Sequence, residues 1–312
     1  MSLRHVMDVI DLLDGWVTGE DVRRVLADRG LDARVTTVGT DLGSTDFINV
    51  TVPGRRGKAS GGDAPTIGII GRLGGLGARP HKIGLVSDAD GGVAAVSVAA
   101  KLADMHRRDD VLEGDVMIAT HVCPNAPIIP HEPVPFMGSP VDMDTLNRME
   151  VDPAMDAIIS IDTTRGNRIF NRRGIAVTPV VKCGYILPIP SEILDVYQNV
   201  TGELPGVLPL TTYDIMPYDN GLPHINSIVQ PSTVTSAPVM GLAIVAGAPV
   251  PGCATGATQA VDIDLAVRFS IEVAKVFTSG GCTMVDDAAY DLAVKTYGSL
   301  VRLQDPCRTG RR

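Results

Sequence analysis

Three short apolar runs constrain the fold of this chain more than any other feature of its sequence. They span residues 67–70, 115–120 and 157–161, and each gives way to glycine or polar residues. Their length and their Ile, Val and Ala content are typical of buried strands. Because only 4% of the residues are aromatic, the core is built from aliphatic side chains, which suits a parallel sheet covered on both faces. We therefore predict that these three strands are adjacent and central.

Other periodic segments surround these strands. The spacing of apolar residues predicts helices over 4–14, 20–29, 91–106 and 263–277, and further strands over 33–38, 46–52, 83–86, 175–182 and 239–245. Alternation of strands and helices predicts an α/β protein with three αβα layers and a mostly parallel central sheet. The sequence contains no repeat or low-complexity linker, so we expect one domain over 1–312, with residues 1–60 packing on the main sheet.

Composition excludes several functional classes. The net charge is −9 without a basic stripe, so nucleic acid is not an expected partner. No apolar run reaches the roughly 18 residues needed to cross a bilayer, so we expect no membrane association. Five cysteines without a CxxC pair favour reduced thiols and a cytoplasmic location. A mean hydropathy of +0.18 favours apolar surface buried between subunits, and therefore a homo-oligomer.

Polar residues follow the predicted strands. Four strands continue into GRLGG, SDADGG, THVCPNAP and DTTRGN. In open α/β sheets, ligands bind at the carboxyl edge, where strands give way to loops. The sequence therefore places Arg72, Asp88, Asp90, His121 and Asp162 along one edge of the sheet.

These residue types suggest metal binding and acid–base chemistry. Asp88, His121 and Asp162 are candidate ligands of one divalent metal such as zinc, which would acidify a bound water. Asp90, His121 and His131 are candidate catalytic acids or bases. Asp90 also precedes a predicted helix, where a simple N-cap role is the alternative.

Candidate substrate-binding residues lie in the loops. Arg72 and Arg79 flank the glycine-rich stretch after the first central strand and could clamp a carboxylate, although that stretch could also be a tight bend. Asn167 follows Asp162, and His224 belongs to the polar segment YDNGLPHINS, which could also form a tight turn.

Two resemblances add to these inferences. The stretches GSTDFI, GIIGRLGG, GLVSDADGG, THVCPNAP, SIDTTRGN and PHINSI resemble an uncharacterised family of about this length, a domain of unknown function. That resemblance covers nearly the whole chain and implies no established activity.

The second resemblance is to the co-catalytic zinc aminopeptidases and their deacylase relatives. SDADGGVAAVSVAAKL is similar to their segment with a metal-bridging Asp, which implies that role for Asp88, and AIISIDTT implies a ligand at Asp162. The resemblance implies a phosphorylase/hydrolase-like fold. At three sites this sequence lacks the metal ligands of that family. The position of the first His falls within GRLGG, which has no His, and the Glu-Glu pair is replaced near Thr120 and His121. The position of the last His falls near Gln259, where His is absent.

The leading hypothesis is a metal-dependent hydrolase of a peptide-like or amide bond, acting on a small-molecule or peptide-like substrate. One alternative is a non-catalytic or regulatory protein that binds a small anion through Arg72 and Arg79. Another is a lyase or isomerase that uses Asp and His without metal. Fold alone cannot choose between these hypotheses, because one fold hosts many functions.

Overall fold

A computed structural model describes residues 1–13, 16–73, 85, 87–123, 126–130, 136–166, 168–218, 220–247 and 257–304. The strands in these residues are β1 Ala33–Thr40, β2 Gly43–Val52, β3 Ile67–Gly71, β4 Val116–Val122, β5 Ile128–Ile129, β6 Phe136–Met137, β7 Ala157–Arg165, β8 Gly174–Lys182, β9 Tyr185–Leu187 and β10 Val239–Ala246. The α-helices are α1 Leu3–Leu12, α2 Gly19–Ala27, α3 Asp90–His106, α4 Met143–Glu150, α5 Ser191–Thr201, α6 Ala260–Thr278 and α7 Asp287–Tyr297.

Eight strands form one mixed sheet in the order β1-β2-β4-β3-β7-β10-β8-β9. The four central strands β4, β3, β7 and β10 are parallel, whereas the strands on either side pair antiparallel. The predicted α/β class is confirmed, and so is the placement of the three apolar runs as adjacent central strands. The antiparallel pairs at both ends arise because β1–β2 and β8–β9 are hairpins, which short turns can join.

Helices lie on both sides of the sheet. α1, α2, α3, α5 and α6 lie on one side, and α3 packs directly on β3, β4 and β7. The contact between α3 and β3 requires glycine, since a Cβ on Gly71 would lie 2.3 Å from the carbonyl oxygen of Gly91. α4 and the segment 206–235 cover the other side. Residues 1–60 join the main sheet itself through β2, which pairs with β4.

The predicted helices and most predicted strands appear within a few residues of their expected bounds. The predicted strand 83–86 lies almost wholly outside the described residues. The spacing of apolar residues did not predict α4, α5 or α7. Of these helices, α5 is capped by Gly202 in a left-handed conformation (φ 74°), which favours glycine. No helix in the described part of the chain is long and apolar enough to span a membrane.

Candidate functional site

A row of polar side chains crosses the carboxyl end of the central strands. Gly71 lies opposite Thr120 on β4 and Ile161 on β7, so the next position on each strand brings together His121, Arg72 and Asp162 in that order. Laterally neighbouring residues of a sheet point to the same face. All three therefore face α4. His121 and Asp162 lie within their strands and not after them, because β4 and β7 extend beyond the apolar runs.

Glu150, the last residue of α4, connects two members of this row. Its Oε1 accepts a hydrogen bond from His121 Nδ1 (2.5 Å), and its Oε2 accepts one from Arg72 Nη1 (2.5 Å). Asn147 Oδ1 also accepts from Arg72 Nη1 (3.1 Å). The Glu150 side chain is fully buried, and those of Arg72 and His121 are 7% and 4% exposed. The four residues form a buried hydrogen-bonded network around the Glu150 carboxylate, here called the Glu150 network.

Burial alone would raise the pKa of Glu150, but the neighbouring Arg72 guanidinium and His121 ring lower it below its usual value. Glu150 is therefore an anion at neutral pH. A buried carboxylate is tolerated only when it is paired and hydrogen-bonded, and Glu150 has a partner at each oxygen.

Sequence reasoning missed Glu150 because it missed α4. The helix begins at the N-cap Asp142, whose side chain accepts a hydrogen bond from the Thr145 backbone N–H (2.7 Å). Met143, Asn147 and Glu150 follow at helical spacing, which puts them on one face of α4. The available signal was this spacing, in which a carboxylate and an amide occupy the buried face of a short capped helix.

Glu150 determines the chemistry that His121 can perform. A carboxylate only accepts hydrogen bonds, so Nδ1 carries the proton and Nε2 is the basic nitrogen. Nε2 makes no hydrogen bond to the described residues. A carboxylate in this position fixes the tautomer of the ring and stabilises the imidazolium that forms when Nε2 takes a proton. His121 is thus arranged as a general acid–base group.

Asp162 occupies the opposite end of the row. Its Oδ1 accepts a hydrogen bond from the Thr163 N–H (2.8 Å) and its Oδ2 from the Ser227 hydroxyl (3.2 Å). Burial raises the pKa of Asp162, and the nearby Arg72 guanidinium opposes that rise. The row therefore contains two groups that can exchange protons, the imidazole of His121 and the carboxyl of Asp162, with Arg72 between them.

The two other predicted acids lie on the α3 side of the sheet. Asp88 belongs to the 3-10 turn Ser87–Ala89, which contacts β7. Asp90 is the first residue of α3; the N-cap is Ala89, so the alternative role of Asp90 as an N-cap is not observed. Asp90 is 1% exposed. Burial raises the pKa of Asp90 to about 8, opposed by the Thr258 hydroxyl, so this carboxyl is largely protonated at neutral pH.

The described residues do not favour a metal shared by His121 and Asp162. Arg72 lies between them on the row, and its guanidinium acts on both Glu150 and Asp162, so a second cation there would be repelled. Within the described parts of the chain, no three His, Cys, Asp or Glu side chains form a group that could hold a metal ion. The metal site predicted from Asp88, His121 and Asp162 stays a prediction.

The predicted substrate-binding residues have different surroundings. Arg72 binds Glu150 and Asn147 through Nη1, and its predicted role of clamping a substrate carboxylate stays a prediction. His224 lies near backbone carbonyl oxygens, with Nδ1 3.0 Å from Leu222 O, and its ring stacks on Tyr218 at 4.6 Å between centroids. Arg79, Asn167 and the predicted catalytic His131 lie outside the described residues.

Fold and site together define a class: an α/β protein with a buried acid–base network at the carboxyl end of four parallel strands. The model of the family described as "Protein of unknown function (DUF1177)" matches residues 36–306, and the chain belongs to this family. No curated protein matches the chain.

Among solved structures, the chain is similar to the crystal structure of a cytosol aminopeptidase from Coxiella burnetii. The two share 13% identity over 85% of this chain and 67% of that one, with a TM-score of 0.50. At this identity the similarity shows the fold alone, and it agrees with the aminopeptidase-like fold expected from the sequence.

Proposed function

We propose that this protein hydrolyses a peptide-like or amide bond at the carboxyl end of its parallel strands, with His121 as the acid–base group. The observation that carries the proposal is the buried pair of Glu150 and His121, which directs a basic Nε2 away from the carboxylate. The aminopeptidase-like fold supports the same reaction class without specifying a substrate.

In this proposal, Nε2 of His121 takes a proton from the water that attacks the carbonyl carbon. The same nitrogen then gives the proton to the departing amine. Glu150 holds the ring and stabilises the imidazolium, and Arg72 keeps Glu150 ionised. No step requires a metal, and the predicted divalent metal is a separate proposal that metal analysis of the purified protein tests.

The test is an assay of ammonia or amine release from amino-acid amides, dipeptides and N-acyl amino acids, with and without added zinc. The His121→Gln variant removes the base, and His106→Gln, at the exposed end of α3, is the matched control. We expect the wild type and His106→Gln to turn over a member of the panel and His121→Gln to lose about 10²–10⁴-fold in rate. Full activity in His121→Gln, or an inactive wild type, would contradict the proposal.

A metal-free lyase or isomerase is the second candidate, and Asp162 favours it. Two acid–base groups on one row, His121 and Asp162, could remove a proton from a carbon and return it. This candidate predicts solvent-deuterium exchange at the α-carbon of a substrate, lost in both His121→Gln and Asp162→Asn. Hydrolysis without such exchange would exclude it.

A further inference from the structure

The outer edge of the sheet at β1 carries backbone groups without partners. β1 is the first strand in the sheet order, so only β2 pairs with it. A two-residue loop joins the two strands, and the residues that close such a hairpin, here Thr40 and Gly43, are hydrogen-bonded to each other. Since hydrogen-bonded pairs alternate along an antiparallel ladder, Val35, Thr37 and Gly39 point their N–H and C=O groups away from β2. No other part of the described chain hydrogen-bonds to these groups.

This edge lacks the devices with which proteins usually protect an edge strand. β1 is eight residues long, its register with β2 is continuous, and its sequence ARVTTVGT contains no proline and a single charge. Gly39 has no positive φ, and a Cβ there would meet nothing within 4 Å, so this chain alone gives no reason for glycine at that position. Glycine inside a strand often marks the close approach of another backbone.

A second copy of β1 matches this edge when a two-fold axis passes through Thr37. In that antiparallel register Thr37 lies opposite its own copy, and Val35 lies opposite Gly39 of the partner subunit. The outward N–H and C=O groups of the two strands then meet in about six backbone hydrogen bonds. The edge is therefore complementary to itself.

Charge favours this register over its neighbour. Arg34 and Asp41 are exposed, and neither forms an ion pair within the part of the chain that the structure describes. The axis at Thr37 puts Arg34 beside Asp41 of the partner subunit, and the symmetry makes this contact twice. An axis at Thr36 would also pair the outward backbone groups, but it moves these two charges further apart. Opposite charges across paired strands are stabilising.

The charges of α2 are compatible with a copy beside it. α2 packs on β1 and β2, so a two-fold axis perpendicular to the sheet brings the two copies of α2 to the same side of the joined sheet. Within each copy Glu20 pairs with Arg23 and Asp21 pairs with Arg24. Because the charges cancel within each helix, the two copies of α2 do not repel each other.

We propose that two copies of this chain associate edge to edge through β1, about a two-fold axis at Thr37, and so join their sheets into one. The contact is isologous, since each copy supplies the same strand. β2 separates β1 from β4, the strand that carries His121. The inference is therefore independent of the proposed hydrolysis.

The experiment is analytical ultracentrifugation of the full chain at micromolar concentration. Gly39→Pro removes an outward N–H and no hydrogen bond to β2, and Arg34→Glu brings like charges together. We expect each to raise the dimer Kd at least about tenfold, and the double variant Arg34→Glu/Asp41→Arg to restore the wild-type value. Ile186→Pro is the matched control: its N–H faces outward on the opposite edge strand β9 by the same hairpin rule, and association should not change.

Cysteine crosslinking tests the register. In the proposed dimer the Cα atoms of the two Thr37→Cys positions lie about 5.5 Å apart, within the range of a disulfide, whereas the Thr36→Cys positions are diagonal at about 7–8 Å. Mild oxidation should therefore crosslink Thr37→Cys far more than Thr36→Cys or the wild type. A monomeric wild type, association that neither Gly39→Pro nor Arg34→Glu weakens, or equal crosslinking of the two cysteine variants would overturn the proposal.

Discussion

Arg72→Met tests whether the Glu150 network is a set of charges that depend on one another. Methionine keeps most of the length of the arginine side chain but removes the cation. Glu150, fully buried, then keeps the hydrogen bond from His121 Nδ1 but loses the cation that balances its charge. Breaking a buried ion pair from one side leaves an uncompensated charge and costs about 3–5 kcal/mol.

The expected change in melting temperature follows from the size of the chain. An unfolding entropy of about 2.1 cal/mol/K per residue over 312 residues gives roughly 1.5 °C per kcal/mol. The loss of 3–5 kcal/mol in Arg72→Met therefore lowers Tm by about 5–8 °C at neutral pH. The matched control is Arg24→Met on the surface of α2, where the ion pair with Asp21 is exposed and Tm should stay within about 1 °C.

The pH dependence provides a second, independent signature. In the wild type, the lowered pKa of Glu150 contributes stability that is present above its unfolded pKa and lost as the pH falls through the folded pKa. Without Arg72 the folded pKa of Glu150 rises, so the variant is penalised at neutral pH and less so toward about pH 4. Thermal melts at neutral pH and about pH 4.5 should show the Tm difference shrinking as the pH falls. An Arg72→Met protein that melts within 1 °C of the wild type at neutral pH would refute the reasoning.

Three further outcomes are expected. Gly71→Ala should lose about 1–3 kcal/mol in urea unfolding, since its Cβ would lie 2.3 Å from Gly91 O, whereas Gly39→Ala on the edge strand meets nothing within 4 Å. Because the folded pKa of Asp90 is raised to about 8, the wild type should lose about 1.4 kcal/mol per pH unit relative to Asp90→Asn between about pH 5 and pH 8; parallel stability curves would contradict this. Light scattering should show a homo-oligomer at micromolar concentration, and a monomer would refute that prediction.

The sequence was sufficient to predict the central strands because their apolar runs are short and uninterrupted. Once β4, β3 and β7 are neighbours, the positions of His121, Arg72 and Asp162 on one row follow from the parallel register. The prediction of an edge lined by these residues therefore depended on local patterns that the fold preserves.

The Glu150 network could not be predicted in the same way. Glu150 is 29 residues from His121 and 78 from Arg72 along the chain, and only the packing of α4 on the sheet brings them together. The same long-range packing pairs Arg72 with Glu150, which no local pattern shows. Asp88 and Asp90 lie at the predicted edge of the sheet, and whether they share a site with His121 stays a prediction. Strand endings alone could not show that both precede α3, which packs on the side of the sheet away from α4.

The central claim is that the Glu150 and His121 pair carries the hydrolysis of an amide bond. Its most direct test is the rate of ammonia release from a panel of amino-acid amides by the wild type and by Glu150→Gln, each shown to be folded by circular dichroism. Glutamine has nearly the shape of the carboxylate but cannot stabilise the imidazolium. The account predicts turnover by the wild type and a loss of about 10²–10⁴-fold in Glu150→Gln. A folded Glu150→Gln protein with the wild-type rate would contradict it.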